Sequence, residues 1–178
     1  PVARGEAERV RTALAAAVLA LVAATAAAPA RADHLPGFRE SVRLSPRASM
    51  IVGKPVRVYC TSDRELWADT AIREIRGGGQ AGARGFASVA RGEAYLAPWV
   101  CQSLERWVRG KPVPLADFAE GLHTLIHESL HLRGIDDETA AECGSVREAA
   151  KWARTLFGVK RPATLRQVVA YVRADAAC

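Results

Sequence analysis

The chain has 178 residues, 49% hydrophobic and 25% charged, enough apolar content for a packed domain and too much for a disordered one. Its formal net charge is +6, but acidic residues are interleaved with the arginines and no aromatic-interleaved basic stripe occurs, so nucleic acid is not an expected partner. Four cysteines without a C-x-x-C argue against a cysteine-based zinc site.

Arg4, Arg9 and Arg11 precede an apolar run from Thr12 to Ala28, and Ala30-Arg31-Ala32 supplies an A-x-A cleavage pattern. Residues 1–32 therefore read as a secretory signal peptide, cut between Ala32 and Asp33, leaving 33–178 as a single exported domain. Left uncleaved, the run would act as a membrane anchor, although it is Ala-dominated and barely long enough to span. After cleavage no membrane span is expected, and the protein should be secreted to an extracellular location. All four cysteines follow the cleavage site, which in an exported chain implies two disulfides. The expected pairs are Cys60–Cys101 and Cys143–Cys178, each within one half of the domain.

Residues 33–47, with Pro36, Gly37 and Pro46, read as an irregular lead-in in which His34 is an exposed terminal residue. Met50-Ile51-Val52, then Gly53-Lys54-Pro55, then Val56, Val58 and Cys60 predict two short strands about a turn. Asp63–Ile75 predicts an amphipathic helix with Leu66, Trp67, Ala71, Ile72 and Ile75 inward, ended by Gly77-Gly78-Gly79. Residues 84–97 predict two strands, Gly85–Val89 and Glu93–Ala97, about a turn. Pro98 opens a helix to Val108 that presents Trp99, Val100, Leu104 and Trp107, both Trp being expected in the core. A helix over Leu115–Arg133 is followed by Gly134 at its C-cap. Asp136 or Asp137 then caps a helix running to about Phe157. A last helix, Thr164–Ala174, turns Leu165, Val168, Val169 and Val172 inward. The expected fold class is α+β, a small early sheet followed by helices.

The chemistry lies in the Leu115–Arg133 helix, which contains H-E-x-x-H at His127, Glu128 and His131. Residues four apart share a helical face about 6 Å apart along the axis, so both imidazoles can reach one ion. Zinc takes neutral imidazole nitrogens at about 2.0–2.1 Å, and two such histidines make half of a tetrahedral site. Glu128, about a quarter-turn away, is placed to reach a water on the metal, the position of a general base. With four His in the chain, a chance H-E-x-x-H is on the order of one per cent or less. His123 extends the stripe by one further turn, too far for the same ion, and reads as a buried or rim residue.

A third ligand should come from the next helix. The short turn at Gly134-Ile135-Asp136 makes the two helices antiparallel, so His131 opposes about residue 138 and His127 about residue 142. Glu138 and Glu142 occupy those positions. Either can complete the site while the other steadies a histidine through its second nitrogen.

H-E-S-L-H followed by D-E-T-A-A-E (Asp137 to Glu142) resembles the gluzincin metallopeptidases, and the order of elements resembles small exported actinobacterial zincin-like proteins. The resemblance covers roughly residues 115–150 and implies a zincin-like fold: a small sheet, an active-site helix and an antiparallel glutamate helix. It places Glu138 on the metal-ligand glutamate and Glu142 on the acidic residue that steadies a histidine. Glu142 is one carbon longer than the usual Asp, which keeps it a ligand candidate, and the interval from His131 to Glu138 is shorter than in thermolysin-like enzymes. His127 to Asp137 also reads H-E-x-x-H-x-x-G-x-x-D, similar to metzincins with Asp as third ligand, such as snapalysin-like peptidases. Metzincins place a Met-containing turn downstream, whereas the sole Met here, Met50, lies upstream. The order of preference for the third ligand is Glu138, Glu142, Asp137.

The expected function is a secreted zinc-dependent metallopeptidase acting on a peptide or protein substrate, with Zn2+-activated water and Glu128 as general base. Tyr59, Tyr95, Tyr171 and the arginines are candidates for stabilising the oxyanion, and either strand of residues 84–97 is a candidate substrate-binding edge. The alternative is a non-catalytic, metal-stabilised, disulfide-linked binding module, favoured if both Glu138 and Glu142 close the metal shell.

Overall fold

Helix formation begins earlier than the strand-like run Met50-Ile51-Val52 suggests. In the computed structural model, which describes residues 34–75, 83–176 and 178, helix α1 spans Leu44–Val52. Leu44, Ala48, Ile51 and Val52 are buried at helical spacing, and Pro46, in the first turn, has no N–H that the helix needs. Gly53, at φ 83°, ends it in the left-handed conformation that L side chains avoid. Residues 33–47 are correspondingly not all irregular, because they also supply the two-residue strand β1 (Arg39–Glu40).

The sheet continues with β2 (Arg57–Cys60), β3 (Gly85–Ser88) and β4 (Glu93–Leu96), in the order β1-β2-β4-β3. It is mixed: β2 and β4 run parallel, while β1 and β3 pair antiparallel with their neighbours. Glu93–Leu96 is thus an inner strand, and of the pair over 84–97 only β3 is an edge strand among the described residues. Helix α2 (Arg64–Glu74) starts where Asp63 accepts hydrogen bonds from the amides of Glu65 and Leu66. It buries Trp67 and Ala71, whereas Ile72, expected inward, is 53% exposed.

Alternation along the strands gives the sheet two different faces. One carries a cross-strand aromatic ladder in which Tyr95 stacks on Tyr59 at 5.3 Å and on Phe86 at 4.9 Å, with Trp67 on Phe86. Tyr59 and Tyr95 are therefore core residues. Glu93, fully buried on the same face, is held by Arg57 at 3.0 Å, Arg91 at 3.1 Å and the Tyr95 hydroxyl at 2.7 Å. Hydrogen bonding to Glu93 and, more strongly, burial push the Tyr95 hydroxyl up to about 12. The other face carries Gly85, Ala87 and Ala94, small residues that let a helix approach closely.

That helix is α4 (Leu115–Leu132), which packs against β3, β4, α1 and three further helices: α3 (Pro98–Val108), α5 (Glu138–Phe157) and α6 (Pro162–Asp175). Phe118, Leu122, Leu125, Ile126 and Leu130 are fully buried, so α4 is the axis of the core. On α3, Val100 and Leu104 are buried, while Trp107 stacks on Phe118 at 3.9 Å and the Trp99 indole donates to Glu120. Both Trp residues are only partly covered. Helix α6 starts at Pro162 rather than Thr164, because proline suits a first helical turn. The fold is α+β, and residues from Leu35 onward form one compact unit. The leader read as a signal peptide lies outside the described residues. Among the described residues no helix is long and apolar enough to cross a membrane.

Two disulfides form with the expected pairing, Cys60–Cys101 and Cys143–Cys178, a chemistry typical of oxidising compartments. Their loops of 41 and 35 residues correspond to about 4 kcal/mol each in lost unfolded-chain entropy.

Acid sensitivity follows from carboxylates held below their usual range, two of them glutamates. Burial alone would raise Glu148, but hydrogen bonds from Arg133 (2.7 Å) and Trp152 (2.6 Å) outweigh it and hold the carboxyl below its usual range. Glu105 is likewise lowered against its burial by Ser41, Arg109 and Arg43. A depressed folded-state value gives stability that is present above the unfolded value and lost as pH falls through the folded one. The urea midpoint is therefore expected to drop below about pH 4.3, the ordinary Glu value, and Glu148→Gln should flatten that drop. An acid limb of equal size in the variant would refute the assignment.

Candidate metal centre

The turn after α4 sets the geometry. Gly134 (φ 100°) donates to His131 O at 2.9 Å and Ile135 N to Leu130 O at 3.1 Å, the paired closure of a Schellman motif. The chain then reverses into α5, whose N-cap is Asp137, its carboxylate accepting from the Ala140 amide at 2.7 Å. Asp137 is thereby fixed as a cap and is not brought to the histidines, and Asp136 does not cap. Helices α4 and α5 approach closely because Gly144 has no side chain: a Cβ there would meet Leu130 Cδ1 at 2.7 Å.

Three ligating atoms converge where the helices meet. His127 Nε2 lies 3.0 Å from His131 Nε2 and 3.1 Å from Glu138 Oε2, and His131 Nε2 lies 3.4 Å from the same oxygen. A tetrahedral zinc with bonds near 2.0–2.1 Å separates its ligands by about 3.3–3.4 Å, so these atoms form a face of the right size. The group His127, His131, Glu138 could hold a metal ion. It opens outward through Glu138, whose side chain is 80% exposed, while the histidines are largely covered.

The far sides of both rings also meet protein oxygens. His131 Nδ1 lies 2.7 Å from the Ile135 carbonyl, which only accepts, so Nδ1 carries the proton and Nε2 presents a lone pair. His127 Nδ1 is buried 3.0 Å from Glu142 Oε2 without forming a hydrogen bond, and its Nε2 hydrogen-bonds Glu138 at 3.1 Å. Burial first, then the neighbouring His131, lowers the His127 pKa, favouring the neutral ring that ligates metals. His127 Nε2 meets both Glu138 Oε2 and His131 Nε2 within hydrogen-bond distance, contacts that one shared proton or one divalent ion could mediate. The donor set therefore fits a divalent ion.

No family model, curated protein or solved structure matches the chain. The reading of the site rests on its own geometry.

Glu128 faces the start of β3, within electrostatic reach of Glu138. It is buried, and a Cβ on Gly85 would meet its Oε1 at 2.8 Å and its Cγ at 2.9 Å, so the carboxylate lies directly under the β3 edge. Burial, with a smaller contribution from Glu138, raises its pKa to about 8. A nearby cation acts in the opposite direction, so the group can exchange a proton near neutrality. Gly85→Ala is expected to push Glu128 aside and cut any hydrolysis by at least tenfold while metal content stays constant. Unchanged turnover in that variant would place the carboxylate's function elsewhere.

His123 is 4% exposed and one turn too far to share the outer trio. Its Nδ1 hydrogen-bonds Asp175 Oδ2 at 3.2 Å and its Nε2 lies 3.3 Å from Glu142 Oε2. Asp175 pairs in turn with Arg84, which also binds Glu120 at 2.9 Å. Asp175, Arg84 and the close approach at Gly85 had no reading in the sequence. No spacing rule links the first two to the motif, and only a glycine opening a strand signalled the third.

Proposed function

We propose that this chain is a metal-dependent peptidase of gluzincin type, with a zincin-like fold and His127, His131 and Glu138 holding a zinc ion. The observation that carries the reading is the convergence of two imidazole nitrogens and a carboxylate oxygen within 3.0–3.4 Å. A divalent ion bound there supplies Lewis acidity and draws the pKa of water down toward about 7. His127 and His131 orient their lone pairs, held by Glu142 and the Ile135 carbonyl. Glu128 accepts the proton of the attacking water and returns it to the leaving amine. The edge strand β3, above Glu128, offers backbone hydrogen bonds to an extended peptide. The disulfides support export to an oxidising, extracellular setting.

A non-catalytic binding module would use both glutamates to close the shell. Glu142 instead approaches Nδ1 of His127, on the far side of the ring from Glu138, which leaves a coordination position for water. The test is metal content together with cleavage of an unstructured peptide library. One zinc per chain, with cleavage lost to chelator and restored by zinc, is expected. One zinc without cleavage would favour the module, and metal-free protein would end both readings.

A further inference from the structure

The outer trio is backed by an inner chain of contacts that runs from α4 through α5 and α6 to the start of β3. We propose that His123, Asp175 and Arg84 are positioning residues that set metal affinity by holding Glu142, and through it His127, in place. The proposal rests on the metal reading of the outer trio.

Glu142 Oε2 is shared by two imidazoles, His127 Nδ1 at 3.0 Å and His123 Nε2 at 3.3 Å. Both nitrogens are buried and form no hydrogen bond, so Glu142 Oε2 meets them as close polar contacts shielded from water. A glutamate has three side-chain torsions, and one contact to His127 would leave the carboxylate free to swing. The second contact, to a ring that is itself fixed, removes that freedom. His123 is fixed from behind by Asp175 at 3.2 Å, and Asp175 by Arg84 and by its place at the end of α6. Burial would raise Asp175, but its bonds to Arg84 and then His123 outweigh it and keep the carboxyl below its usual range. The Cys143–Cys178 bond joins the residue after Glu142 to the chain just beyond Asp175, so both ends of this path are tied to each other. Outer partners of ligating histidines typically change metal affinity by about 10–100-fold. The sequence positions 123, 142 and 175 come from three separate helices and 84 from the residue before β3, so their meeting is specific to this fold.

His123, His127 and Glu142 could also be read as a second metal group. That alternative uses His127 Nδ1 as a ligand, whereas a ring that gives Nε2 to an ion in the outer trio keeps its proton on Nδ1. The brace therefore predicts one ion per chain.

The experiment measures zinc affinity of the full chain by chelator competition, with the absorption spectrum of the cobalt-loaded protein as a second readout. Asp175→Asn should weaken zinc about tenfold, and His123→Gln by up to about a hundredfold, with altered cobalt bands in both. Glu105→Gln, which breaks a comparable ion-pair group far from the site, should cost stability and leave affinity unchanged. Asp175→Glu should recover part of the lost affinity. Wild-type zinc affinity in both Asp175→Asn and His123→Gln overturns the brace while leaving the metal reading intact. Two ions per chain, one lost in His123→Gln, overturns it in favour of an inner metal site. Wild-type protein that binds no zinc removes the metal reading and this proposal together.

Discussion

Glu128→Gln should retain one zinc per chain and lose hydrolysis by about 10²- to 10⁴-fold, the range expected for removing a positioned acid–base group. The substitution keeps the shape of a side chain packed against Gly85 and Thr124, so the fold has no reason to change. It removes the ability to take a proton, the role proposed for Glu128 once a cation nearby counters the effect of burial. Because Glu128 contributes no atom to the outer trio, its loss should not release the ion. Turnover on a peptide substrate, with metal content measured on the same preparation, checks both halves. Full activity would show that another group moves the proton; lost metal would show that Glu128 holds the site together.

The second large effect separates the three acidic candidates. Glu138→Gln removes the proposed third ligand and should weaken zinc by more than roughly a hundredfold, beyond the 10–100-fold typical of outer partners, the range assigned to Glu142→Gln. Asp137→Ala should cost about 1 kcal/mol of helix stability as a lost N-cap while the metal stays bound. The order follows from which ring nitrogen of His127 each carboxylate meets: Glu138 Nε2, the nitrogen that also faces His131, Glu142 Nδ1 on the far side, Asp137 neither. Equilibrium dialysis across the three variants gives the ranking directly. A larger loss from Glu142→Gln than from Glu138→Gln would move the ion to the inner group.

How far the sequence could be read depended on whether the deciding contacts were local. Helix α4, its stop at Gly134 and the reversal into α5 were legible because a 3.6-residue stripe and a left-handed glycine are written within a few residues. The same short turn fixed the register that sets His131 against Glu138 and His127 against Glu142. Helix α1 was obscured because Met50-Ile51-Val52 before Gly53-Lys54-Pro55 carries a strand's composition, and Pro46 disguised the helical spacing of Leu44, Ala48 and Ile51. Tertiary packing overrode local propensity there. The two residues of β1 are too few to carry a pattern. Asp175 and Arg84 reach His123 only through the docking of α6 and β3, so nothing near the motif announces them.

The Cys143–Cys178 bond also decides how the protein has to be made. In a reducing host compartment the bond would open and leave two thiols side by side, one of them adjacent to Glu142 in sequence. Thiolates are strong zinc ligands in their own right. A preparation from such a host would carry adventitious zinc and read falsely as loaded enzyme. Production in an oxidising host, with free sulfhydryls titrated to zero before any ion is counted, is a precondition for every measurement above.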